Sequence, residues 1–219
     1  ECWYIISAEP DAVIYKGLKK GVTKELFAEA VEKGNVAEML AKVPVEQGQC
    51  HFLPAGTAHA IGPGLLIAEI QTPSDTTYRV FDWSRVDDTG KARQLHIEEA
   101  LESIHFDASG DNLSVTTAGR LIDCEYFKID KGHEAKGCEL PLSPGKMKTL
   151  IILTGSGTIA GAEGNHVDPV RNSTTAGIRQ KQEISNVVEF KVGDTLLVPA
   201  AYEGAMQFAD DTQYLTVTI

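Results

Sequence analysis

The sequence predicts a mainly β protein made of two barrel-like modules in tandem, with a small helical insertion in the first. Three observations carry that reading. Short β-branched and aromatic runs separated by Gly, Pro and Asp turns recur along the chain, and nearly everything after Asn112 has this character. One block, from Thr23 to Val43, shows helical rather than alternating spacing. The third is an internal echo. Gly48-Gln-Cys-His-Phe-Leu-Pro-Ala-Gly in the first half and Gly193-Asp-Thr-Leu-Leu-Val-Pro-Ala-Ala in the second both read G-x5-P-A-[GA], as two copies of one module would.

Taken in order, Trp3–Ile6 and Ala12–Tyr15 read as strands joined in a hairpin by Ala8-Glu9-Pro10-Asp11. Thr23 is a candidate N-cap, and Leu26, Phe27, Ala30 and Val31 follow at helical spacing until Gly34-Asn35 breaks the run. Two short helices are expected here, the second over Val36–Val43. Strand signals, including Val43–Val45 and Gly64–Ile70, then continue to Phe81. Asp87–Gly90 is a turn and His96–Ile104 a short amphipathic helix. The polar run Asp107–Asn112 is the best domain boundary, dividing the chain into residues 1–106, with the helical insertion at about 23–43, and residues 107–219. Beyond it, strands are expected at Leu121–Ile129, Lys148–Leu153, Thr158–Ala160, Val187–Val192, Thr195–Pro199 and Tyr214–Ile219, with a polar, aperiodic loop over Ala162–Gln182.

Composition narrows the function. A net charge of −11 argues against non-specific nucleic-acid binding and requires any anionic substrate to be held by a local positive cluster. The four cysteines are widely spaced with no C-x-x-C, which reads as reduced thiols in a cytoplasmic protein. No apolar run approaches the roughly 20 residues of a membrane span. The opening Glu1-Cys-Trp-Tyr-Ile-Ile is strand-like and lacks an initiator Met, so the chain is expected to start within a sheet, with an N-terminal part preceding it.

In the first copy the echo extends to G-x5-P-x-G-x2-H, through Gly48, Pro54, Gly56 and His59. A histidine on a strand is ordinarily a packed or solvated residue. The complete spacing around His59 instead makes it a candidate metal ligand, since neutral imidazole suits zinc and similar ions. The equivalent position in the second copy is Gly204, so that module reads as metal-free.

The G-x5-P-x-G-x2-H pattern is the second half of the cupin (jelly-roll) signature. The combination of ECWYII, PAGTAHAIGPG, EIQTPSDTTYR and FDWSR closely resembles the type I mannose-6-phosphate isomerase family, in its shorter bacterial form. The resemblance implies one bound zinc ion, with Glu1 matching the family's glutamate ligand and His59 its histidine ligand. The family's Gln-x-His pair and the lysine before the glutamate have no counterpart here. Glu69, ten residues before Arg79, matches the family's glutamate and active-site arginine. In that role Glu69 would carry a proton between adjacent carbons, and Arg79 would stabilise charge on an enediolate. Gln71 shares the strand face of Glu69 and is a candidate contact for sugar hydroxyls. Asp75, from the family's Ser-Asp pair, would contact substrate or orient Arg79. Arg85 would hold the substrate phosphate. His51 and His96 receive no functional role.

The function so implied is metal-assisted interconversion of mannose 6-phosphate and fructose 6-phosphate through an enediol(ate), in a monomer or homodimer that binds a phosphorylated hexose and neither nucleic acid nor membrane. Two other readings stay open at this point, a non-catalytic cupin that binds a sugar or sugar phosphate and a structural cupin pair without ligand.

Overall fold

The computed structural model describes residues 1–74, 76–83, 85–107, 115–161, 169–170 and 187–219. Asp75, most of the expected 162–182 loop and most of the expected boundary run therefore lie outside the described residues. The chain divides into two compact units, Glu1–Val115 and Thr116–Ile219.

Alternating burial builds the first unit. Strand β1 (Cys2–Ala8) is followed by β2 (Val13–Leu18), which buries Ile14, Lys16 and Leu18 and turns the residues between them outward. Helix α1 (Lys24–Lys33) begins where the Thr23 side chain accepts from the Leu26 N–H, and it stops at Gly34 in a left-handed conformation. Strands β3 (Leu40–Pro44), β4 (Cys50–Phe52), β5 (His59–Ile61) and β6 (Leu65–Ile70) follow, then helix α2 (Ile97–Ser103) and the two-residue β7 (Val115–Thr116). They form one sheet in the order β6-β1-β4-β7 and a second in the order β3-β2-β5. Trp3, Ile5, Ile14, Val43, Val45 and Leu53 form the core. A second cluster, centred on Phe27, Val36, Leu40 and Leu18, packs the helices against it.

Several expectations change here. The turn at Glu9–Asp11 exists, but β1 and β2 are not a hairpin: β1 pairs with β4 and β6, and β2 with β3 and β5. The turn carries the chain from one sheet to the other, because Trp3, Ile5 and Ile14 bury their faces in a common core. The second helix is only a three-residue 3-10 turn, Val36–Glu38. Leu40–Pro44 instead completes the sheet beside β2 and buries Leu40 and Val43, a tertiary gain that overrides weak helical spacing. Strand structure does not continue to Phe81. It ends at Ile70, and Pro73, with no N–H to donate, stands in the irregular stretch that follows.

The second unit contains β8 (Gly119–Asp123), β9 (Lys128–Glu134), β10 (Glu139–Leu142), β11 (Lys148–Thr154), β12 (Ser156–Gly161), β13 (Pro169–Val170), β14 (Val187–Lys191), β15 (Thr195–Val198), β16 (Gly204–Phe208) and β17 (Thr212–Thr218). Its sheets run β13-β15-β11-β17-β9-β8 and β10-β16-β12-β14, over a core that includes Leu150, Ile152, Ile159 and Met206. The single strand expected at Leu121–Ile129 is split between β8 and β9 by a turn in which the Cys124 N–H donates to the Phe127 carbonyl. Strands β10, β13 and β16 were not expected, and β13 falls within the stretch expected to be a loop.

The two units repeat one hydrogen-bond frame. In the first, Ile5 and the Gly48 turn exchange bonds: the Gly48 N–H donates to Ile5 O (2.9 Å) and the Ile5 N–H to Gln49 O (2.8 Å). In the second, Gly193 donates to Ile152 O and Ile152 to Asp194 O, both at 2.9 Å. Each Pro-led turn closes alike, Thr57 onto Pro54 and Tyr202 onto Pro199. Each central strand carries a bulge, between Ile5 and Ser7 and between Ile152 and Thr154. In this frame Glu1, His59 and Glu69 correspond to Lys148, Gly204 and Thr216.

Candidate active site

The Pro54–Gly56 turn aims His59 at the start of β5. Gly56 has φ 81°, and a Cβ there would stand 2.7 Å from the ring of His105, whose backbone N–H donates to Gly56 O at 3.0 Å. Only glycine satisfies both the conformation and the close approach. The Nδ1 of His59 lies 2.7 Å from the Thr57 carbonyl. A carbonyl can only accept, so Nδ1 carries the hydrogen and Nε2 is turned toward Glu1 Oε1, 2.6 Å away.

Glu1 and Trp3 share a face of the β1 strand, and Trp3 stands opposite Glu69 in the β1–β6 register. The Trp3 indole N–H donates to Glu69 Oε1 at 3.0 Å, and the indole meets the His59 ring edge-on at 5.1 Å. The buried Trp3 thus fixes Glu69 beside the Glu1–His59 pair. The bond from the His59 imidazole holds the Glu1 carboxyl below its ordinary pKa. Burial acts to lower the His59 pKa, but the hydrogen bond and charge of Glu1 outweigh it and leave the imidazole raised.

These groups open onto a cleft of about 880 Å³, also lined by Gln71, Arg79, Trp83, Arg85 and Arg93. Its arginine wall is tied down by the backbone. Arg79 and His96 are doubly joined, the His96 N–H donating to Arg79 O (2.8 Å) and the Arg79 N–H to His96 Nδ1 (3.4 Å). Asp82 is buried and receives two donors from the Arg93 guanidinium, one of them Nε at 2.7 Å. That bond holds the Asp82 carboxyl below the usual carboxylate range. Arg79, Arg85 and Arg93 thus bring three guanidinium groups to the cleft, one of them paired with Asp82.

Of the residues singled out in the sequence, Glu1, His59 and Glu69 come together, Gln71, Arg79 and Arg85 line the same cleft, and Asp75 lies outside the described residues. Trp3, Asp82, Arg93 and His96 were missed. Trp3 was signalled by its two-residue spacing from Glu1 on a strand. The Asp82–Arg93 and Arg79–His96 contacts follow from the folding of an irregular loop and leave no periodic signature.

Comparison with known proteins turns on sequence. The chain is 39% identical over 210 residues, 91% of its length, to the mannose-6-phosphate isomerase ManA of Bacillus subtilis, and spans 58% of that protein. Over that span the chain is similar to the mannose-6-phosphate isomerase family. No protein-family model matches it. Among solved structures, a mannose 6-phosphate isomerase from Bacillus subtilis aligns over 100% of this chain and 64% of its own at TM-score 0.78 and 22% identity. A Salmonella typhimurium mannose 6-phosphate isomerase, solved with fructose 6-phosphate and zinc, aligns over 99% of this chain and 65% of its own at TM-score 0.63 and 12% identity. These likenesses show the expected fold, mainly β with two cupin-like modules and a helical insertion in the first.

That likeness invites a test of the Glu1–His59 pair for metal. Glu1 Oε1 is buried, and the group facing it is Nε2 of His59, 2.6 Å away. That separation is the one a shared proton gives, while carboxylate and neutral imidazole are each of a type that ligates zinc. Among the described residues no group of three or more His, Cys, Asp or Glu side chains is arranged to hold a metal, so these residues offer two protein ligands. No described helix is long and apolar enough to cross a membrane.

Proposed function

We propose that the protein interconverts mannose 6-phosphate and fructose 6-phosphate. The observation that carries this reading is the Glu69 carboxylate, fixed by Trp3 beside the Glu1–His59 pair in a cleft also lined by Arg79 and Arg85. An aldose–ketose isomerisation removes the proton on C2 and returns one to C1 through a cis-enediol(ate). Glu69 is the carboxylate placed to carry that proton. Arg79, its backbone pinned by His96, offers a fixed cation to the negative charge that develops on the sugar oxygens. Arg85 presents a forked donor for the phosphate, Gln71 reaches sugar hydroxyls, and Asp75 belongs to the same segment as a substrate contact. Glu1 and His59 would hold a zinc ion, which when bound polarises and orients the C1 and C2 oxygens. The four cysteines are free thiols, which supports a cytoplasmic setting.

The test is an assay of both directions of the reaction on protein expressed from its complete reading frame, zinc-loaded and then chelated. Conversion that is lost on chelation and regained with zinc supports the reading. A protein that binds mannose 6-phosphate without converting it is a sugar-phosphate-binding module instead.

A further inference from the structure

Trp83 has a backbone conformation that its side chain does not explain. Left-handed φ angles occur at two described non-glycine residues, Asp11 (62°) and Trp83 (49°). Aspartate tolerates that region in a turn, whereas a bulky aromatic side chain there is strained. Strain of this kind persists only where the surroundings enforce it, and it concentrates at functional sites.

The surroundings of Trp83 do enforce it. The Arg85 N–H donates to Asp82 O at 2.9 Å, closing a tight turn around Trp83, and the Arg93 guanidinium grips the Asp82 side chain within the loop. The strain is not offset by burial of the ring, which is 42% exposed. Phe81, at 5.2 Å, and Tyr15, at 6.2 Å, brace the indole, and the Arg85 guanidinium stands 5.8 Å from its centroid. The ring lines the same cleft as His59, Glu69 and Arg79. The loop therefore holds a wet aromatic surface against a polar site, next to a cation, at the cost of backbone strain.

We propose that Trp83 is the sugar-ring platform of this cleft, stacking on the C–H face of a phosphorylated hexopyranose. The electron-rich face of an indole attracts the polarised C–H groups of a pyranose, and the adjacent Arg85 suits the phosphate on the same molecule. This inference rests on the isomerase reading and adds a specificity-determining residue to it.

The chain has two tryptophans and both border the cleft, so a ligand-induced change in emission is assigned to Trp83 by its loss in Trp83→Phe, which keeps Trp3. The probe is 1,5-anhydromannitol 6-phosphate, which keeps the pyranose ring and cannot be isomerised. Its affinity is measured by calorimetry and fluorescence, with inorganic phosphate as the control, on the zinc-loaded wild type, Trp83→Phe and Trp83→Gly. Glycine adopts the left-handed φ freely, so Trp83→Gly removes the ring without penalising the fold. The inference predicts a change in wild-type emission and about tenfold weaker probe binding in Trp83→Gly. Phosphate affinity should stay within about twofold, and Trp83→Phe should recover most of the loss. Equal probe affinity in wild type and Trp83→Gly overturns the inference, as does an equal loss for probe and phosphate. Isomerase activity without probe binding overturns this inference alone. Absence of both overturns it together with the isomerase reading.

Discussion

Trp3 and Glu69 stand directly opposite each other in the β1–β6 pairing, and the buried indole N–H of one donates to the carboxylate of the other at 3.0 Å. Because the same indole packs edge-on against His59, one side chain sets the spacing between the carboxylate and the imidazole of the cleft. Trp3→Phe keeps much of the aromatic packing and deletes the donor. The expected result is a fall of about tenfold in kcat with KM little changed, at a stability cost of about 1 kcal/mol. Steady-state kinetics and a thermal melt check this. A proportional rise in KM with unchanged kcat would assign Trp3 to substrate binding instead.

Gly56 makes the turn that aims His59. Gly56→Ala meets both an unfavourable φ of 81° and the His105 ring. The expected cost is about 1–3 kcal/mol of stability. Zinc content should also fall, because His59 is displaced. A chemical-denaturation midpoint equal to wild type would show that the turn is not strained by a side chain.

His51 is fully buried, with Nε2 near Gln49 Oε1 at 3.2 Å and Nδ1 without a hydrogen-bond partner among the described residues. Burial, aided by the charge of Lys16, pushes its pKa down to about 4. The unfolded chain binds this proton near pH 6.5 and the folded chain only near pH 4, so stability falls as pH drops through that window. The loss attributable to this histidine is about 3 kcal/mol by pH 4. Urea denaturation at stepped pH should show the slope in wild type, and His51→Gln should flatten it.

The parts of this site that could be read from sequence are those written locally. The G-x5-P-x-G-x2-H spacing specifies a turn and a strand start, and the turn delivers His59 to the cleft as expected. The echo around Gly193 has the same backbone role, and Gly204 stands where the histidine would be, at a point where a Cβ would run into the Ala160 carbonyl. The missed parts depend on pairing at a distance. Leu40–Pro44 has helical spacing on its own, yet the β2 edge recruits it as a strand. Strands β1 and β2 are neighbours in sequence and partners in neither sheet. Asp82 and Arg93 meet because an irregular loop folds back, with the Val86–Ala92 bridge near its tip. No period in the sequence encodes that return.

The central claim is that Glu69 moves the proton and Arg79 stabilises the charge in a hexose-phosphate isomerase. The most direct measurement is the rate of fructose 6-phosphate formation from mannose 6-phosphate by zinc-loaded wild type, Glu69→Gln and Arg79→Ala, each expressed from the complete reading frame. Conversion by the wild type, with each variant slower by about a hundredfold or more at an unchanged melting temperature, is the predicted result. No conversion by the wild type, or near-normal turnover in either variant, would contradict it.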